Sequence, residues 1–125
     1  MPTLQTAARN AACNAVVDLL DQGTTNANAQ AIFRTVADAE VATLNMSNPA
    51  FGDSANGVAT AGTIADDADT TGGDTTKLTL EDRDNNEVLE LSVATSGADV
   101  NVSSTTIGVG DRLSFSTLTV DMPAS

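Results

Sequence analysis

Carboxylates are the chemistry-bearing side chains this chain has in quantity. Asp66, Asp67, Asp69 and Asp74 fall in one short stretch around Thr70, Thr71, Gly72 and Gly73. Hard cations take several carboxylate oxygens from a flexible loop, so Ca2+ or Mg2+ is the cofactor such a stretch would hold. Asp67-x-Asp69-x-Thr71-Gly72 opens like an EF-hand calcium loop, but its twelfth position is Leu78 rather than Glu. Asp82-x-Asp84-x-Asn86 opens the same way, then has Glu87 where the glycine belongs and ends on Val93. Both matches are incomplete. A solvated acidic loop is the preferred reading, and Asp66, Asp67, Asp69 and Asp74 stand as metal candidates only.

Other chemistries lack their residues. With no His there is no Ser-His or Cys-His pair and no His-ligated zinc. A single Cys permits neither an internal disulfide nor a thiolate cluster, and Cys13 reads as a small buried apolar residue. Glu87 and Glu90, three apart in a strand, point to opposite faces and make no acid-base pair. Gly108-Val109-Gly110 offers two glycines with no third and no following Lys, so no phosphate loop forms there. No catalytic residue is assigned, and the expectation is a protein that is not an enzyme. Seventeen acidic against five basic residues give a net charge of −12, and the aromatics are three Phe. Such a surface repels phosphates and lacks stacking rings, which speaks against a nucleic-acid partner. Arg9, Arg34, Lys77, Arg83 and Arg112 are scattered; Arg112 is expected to pin the turn at Asp111.

The elements that would position these groups follow from periodicity. Leu4, Ala8, Ala11, Ala12, Ala15, Val16, Leu19 and Leu20 recur at steps of three and four, predicting a helix over 3–22. Thr3 is its expected cap and Gly23 its left-handed stop. The shallow Ala-rich face suits either a sheet beneath it or a neighbouring subunit. Beyond Gly23 the period changes to two. Short strands are predicted at 32–36, 41–46, 58–64, 75–81, 88–93, at Val100 and Val102, and over 112–122, with Ala65 to Asp74 as a loop. Residues 75–93 read as a hairpin around Asp82-Arg83-Asp84-Asn85-Asn86, one face apolar and the other mostly polar. Phe51, in the turn-rich run 47–53, is a core plug or an exposed anchor. In the last strand Leu113 and Phe115 occupy odd positions, whereas Leu118, Val120 and Met122 occupy even ones. That slip demands a bulge near Ser116-Thr117 or a strand that crosses between two sheets. The fold class is therefore mainly β: an antiparallel β-sandwich (jelly-roll or Ig-like) over 30–122 behind one N-terminal α-helix, in a single domain of residues 1–125.

The start of the sequence shows no basic n-region and no apolar run long enough for a signal or a membrane span, so neither export nor a membrane partner is expected. A core of Ala, Val, Thr and Leu, almost without aromatics, leaves little margin for a 125-residue chain to fold alone. Self-association, docking on a larger body or a salty medium would supply the difference. Acid enrichment beside a single Lys suits a halophilic host.

Several stretches carry a resemblance. Ala7-Ala8-Arg9-Asn10-Ala11-Ala12 with Val16-Val17-Asp18-Leu19-Leu20-Asp21, Asn48-Pro49-Ala50-Phe51-Gly52, Asn56-Gly57-Val58-Ala59, the run from Thr95 to Ile107, Gly110-Asp111 and the run from Ser116 to Ala124 are similar to small structural proteins of tailed bacterial and archaeal viruses. Together they cover about half the chain. Thr75 to Leu80 differs, lacking the aromatic that other members carry in that strand. The resemblance implies a non-enzymatic virion component: a capsid decoration or cement protein on the capsid surface, made in the host cytoplasm. Its implied partners are the major capsid protein and copies of itself, as a trimer or, second, a pentamer. A tail or neck component is the alternative within that class, and a calcium-dependent adhesion or sugar-binding module the alternative outside it.

Overall fold

A computed structural model describes residues 3–115 and 117–122. The chain is mainly β, with a sandwich-like arrangement of strands behind one N-terminal helix. Helix α1 spans Thr6–Asp18 and tightens into a 3-10 turn at Leu19–Asp21. Among the described residues nine strands follow: β1 (Gln30–Arg34), β2 (Glu40–Asn45), β3 (Val58–Thr60), β4 (Gly73–Asp74), β5 (Lys77–Glu81), β6 (Glu87–Ala94), β7 (Val100–Asn101), β8 (Thr106–Ile107) and β9 (Thr119–Asp121). One sheet runs β2-β1-β5-β6-β7; β3 pairs with β9 and β4 with β8. All ladders are antiparallel except β6–β7, which is parallel.

Register explains the large sheet. Phe33 lies opposite Ala42 and Leu78, Ala31 opposite Leu44 and Leu80, and Leu80 and Leu78 opposite Leu89 and Leu91. Directly opposed residues share a face, so these side chains form one apolar surface. It joins Cys13, Val17, Leu20, Phe51, Leu118 and Val120 in a single core. Phe51 is a core plug, bridged to Ala61 and 4% exposed.

The other face of the sheet is not the solvated surface the alternation predicts. Thr79 and Glu81 are buried, because Arg34 lies across them. Its Nη2 donates to Glu81 Oε2 at 2.7 Å and its Nε to Thr79 Oγ1 at 3.1 Å. Lys77, opposite Arg34 in the register, pairs with Asp38. Two of the five basic residues thus sit side by side, each neutralised by an acid.

Three expectations need revision. The helix starts after Gln5 rather than at Thr3, and among the described residues no side chain caps it. Its buried residues are Cys13, Val17 and Leu20, whereas Leu4, Ala8, Ala11, Ala15 and Leu19 face solvent. The larger side chains together with the polar Arg9, Asn10 and Asn14 decide which side turns inward. The 112–122 strand is broken: Leu113 bridges to Asp67, and only residues 119–121 pair with β3. In place of the one strand expected, whether bulged or crossing between two sheets, the segment makes one isolated bridge and one short ladder; Ser116, where the bulge was expected, lies outside the described residues.

Candidate functional site

The acidic stretch 66–74 is held by strand pairing and by its own carboxylates. Asp67 is pinned twice by backbone, its N–H donating to Leu113 O and its O accepting from Leu113 N. Its Oδ2 accepts from Thr43 N at 2.9 Å and its Oδ1 from Asp69 N at 3.0 Å. Asp66 Oδ2 accepts from Arg112 Nε at 2.8 Å, so Arg112 reaches across to this stretch rather than pinning the Asp111 turn. Asp111 closes that turn itself, with Oδ2 accepting from Gly108 N. Asp74 lies in β4, where its Oδ1 accepts from Thr106 Oγ1 on β8. Asp69 lies beside Gly110. The carboxylates of Asp66, Asp67 and Asp74 are thus spent on three separate contacts, and among the described residues no three acidic, His or Cys side chains converge as a metal cage would require.

The second acidic motif is a structural clasp. Asp82 Oδ1 accepts from Asp84 N and Asn86 N, both at 2.9 Å, closing the β5–β6 turn. Asn85 takes the left-handed conformation there, with φ of 64°. Asp84 Oδ1 accepts from Thr24 N and Thr25 N at 2.9 and 3.0 Å. Those two N–H donors hold the Asp84 carboxyl below its ordinary range. Arg83 Nε donates to Asn26 O, and Asn26 Nδ2 donates to Asn85 Oδ1. Gly23 makes this docking possible: at φ of 114°, a Cβ there would stand 2.7 Å from Asp84 Cγ.

The inner side of α1 is fastened by polar groups to the segment before β3. Asn14 Oδ1 accepts from Ser54 N, Asn10 Oδ1 from Gly57 N, and Ser54 Oγ donates to Asn10 O. Arg9 Nε donates to Met122 O at 2.9 Å, and Cys13 Sγ to Val120 O at 3.4 Å. Gly57, at φ of 77°, leaves room for the Arg9 guanidinium, which a Cβ would meet at 2.8 Å. Cys13 is wholly buried, as the sequence implies.

A cavity of about 360 Å3 opens between β7 and residues 113–115 and 117–119. Phe33, Val100, Val102, Leu113, Phe115 and Leu118 line its apolar part, with Asp99, Ser103 and Thr117 among its polar lining. Phe115 stacks on Phe33 at 5.4 Å between ring centroids. It marks where the large sheet's β7 edge meets the broken last strand.

No family model, curated protein or solved structure matches the chain. Among the described residues no helix is long and apolar enough to cross a membrane. The remaining feature of functional interest is the outer side of α1, where Leu4 and Leu19 are 40% and 52% exposed.

Proposed function

We propose that this chain is a structural component of a virus particle, a decoration or cement protein that binds the major capsid protein and copies of itself on the capsid surface. The observation that carries the reading is the outer side of α1, an apolar strip left in water on a body of net charge −12. Contiguous apolar patches on a surface mark where partners sit. The rest of the molecule suits the role: its polar side chains close loops and clasp elements together. The sequence resemblance supports the same class. Trimers at quasi-threefold positions are the first arrangement and pentamers at vertices the second; a tail or neck position is the alternative within the particle. The acid excess fits a salty medium, where screening removes repulsion between copies.

The test is biochemical. Particles of the encoding virus, purified and stripped of this chain, are expected to melt at lower temperature and to regain their midpoint when the protein is added back. A chain absent from purified particles, or one whose addition leaves their melting unchanged, overturns the reading.

A further inference from the structure

Asn56–Gly57 is the one Asn-Gly pair in the sequence; every other asparagine precedes a residue with a side chain. In such a pair nothing shields the following peptide nitrogen, so it can attack the asparagine side-chain amide. Here the pair forms the two-residue turn of a small hairpin. Asn56 and Gly57 take φ of 52° and 77°, and Ala55 and Val58 exchange both backbone hydrogen bonds across them. Asn56 is exposed, whereas Gly57 is buried, and its N–H donates to Asn10 Oδ1 of α1 at 2.8 Å. We propose that Asn56 is a self-modification site, at which attack by the Gly57 nitrogen yields aspartate or isoaspartate, and that Asn10 is the residue that holds this reaction in check.

The step needs no reagent but water. The Gly57 nitrogen gives its proton to solvent base and bonds to Asn56 Cγ; the Cγ–Nδ2 bond breaks and ammonia leaves. Water then opens the five-membered imide at either carbonyl, giving aspartate in the ordinary backbone or isoaspartate with one extra backbone carbon. Because the nitrogen must first lose its proton, an N–H donated to Asn10 in a buried place is a brake. The reaction proceeds only through the local opening that also exposes this amide to hydrogen exchange. Its consequence lies in the same seam. Gly57 O accepts from Met122 N at 2.7 Å, and Met122 O accepts from Arg9 Nε. An extra carbon in a two-residue turn moves Gly57 off Asn10 and Met122 together, so isoaspartate unfastens α1 from the end of β9. The large sheet pairs without this turn and keeps its ladders. The helix thus carries a one-way chemical timer, and it runs whether or not the chain sits on a particle.

The experiment ages the full chain in warm, mildly alkaline buffer, folded and in urea, and follows residue 56 by peptide-mapping mass spectrometry. In urea Asn56 is expected to convert before any other asparagine, and in the folded chain at least about tenfold more slowly. Asn10→Ala is expected to speed conversion in the folded chain about tenfold, the effect of freeing one buried N–H. Asn10→Asp keeps an accepting oxygen, and Asn14→Ala frees the Ser54 N–H instead, so both should stay near the parent rate. Folded Asn56 converting as fast as in urea, or equal rates for Asn10→Ala and Asn14→Ala, overturns the proposal. Should Asn10→Ala not fold, the parent chain in urea below its unfolding midpoint gives the same reading. Conversion and Gly57 amide exchange must then accelerate in step, and conversion that ignores that exchange overturns the brake. Chains carrying isoaspartate at position 56, separated after ageing, are expected to exchange the Gly57 and Met122 amides faster than fresh chains while Ala31 and Leu80 keep their protection. Unchanged exchange at Gly57 and Met122 overturns the timer.

Discussion

The inner side of α1 mixes half-buried polar residues with a buried apolar row, and the outer side is apolar yet wet. Inward, Arg9, Asn10 and Asn14 give up water for backbone partners on residues 54, 57 and 122, and Cys13, Val17 and Leu20 fill the space between them. Outward, Leu4, four alanines and Leu19 are exposed to solvent. The count of apolar residues alone does not decide which way the helix turns. Side-chain size and hydrogen-bond satisfaction outweigh it, because a buried N–H left without an acceptor costs about 1–3 kcal/mol whereas a buried Ala gains little.

The comparison can be broken by mutation. The largest effect is expected from Leu20→Ala, which should cost about 2–5 kcal/mol in denaturant unfolding through the cavity it leaves. Leu19→Ala, one residue along but on the outer side, should stay within about 0.5 kcal/mol. Equal losses would mean that the two sides are not distinct. Next comes Asn14→Ala, which strands the N–H of Ser54 and should cost about 1 kcal/mol, with faster hydrogen exchange confined to the residues around Ser54. The smallest effect concerns the segment that leaves the helix. Because the folded Asp84 carboxyl titrates below its unfolded value of about 3.9, its contribution is present above that pH and lost as pH falls through the folded value. The Thr24 and Thr25 amide resonances are expected to titrate with a midpoint under about 3.9, and Asp84→Asn should abolish that step.

Much of this fold is legible in the sequence wherever a pattern is local. The β5–β6 hairpin, its Asp82–Asn86 turn, the turn at Gly108–Asp111 and the change of phase in the last strand all follow from spacing within a dozen residues. The helix was legible as a helix, but of its apolar repeat only Leu20 is buried, Ala12 and Val16 are half-buried, and the others meet solvent. Periodicity reports where apolar groups line up, and carries no information on whether the cover comes from the same chain. β4 and β8, two residues each, are too short for any period, and β7 runs parallel to β6 because the intervening turn carries the chain back across the edge. The burial of Thr79 and Glu81 depends on Arg34, 45 and 47 positions away. The acidic stretch was legible as a cluster of charge, but its partners Thr43, Thr106 and Arg112 lie 24, 32 and 46 positions from Asp67, Asp74 and Asp66.

Asp21, Asp67, Asp82, Asp84, Asp99 and Asp111 all accept hydrogen bonds from main-chain N–H groups. At these six positions the fasteners of the connecting segments and a source of the negative field are the same atoms. Exchanging them for alanine to weaken the field would also unbutton loops, whereas asparagine keeps an oxygen that accepts the same N–H, as Asn10 and Asn14 do. Charge and closure can therefore be separated here by a single atom.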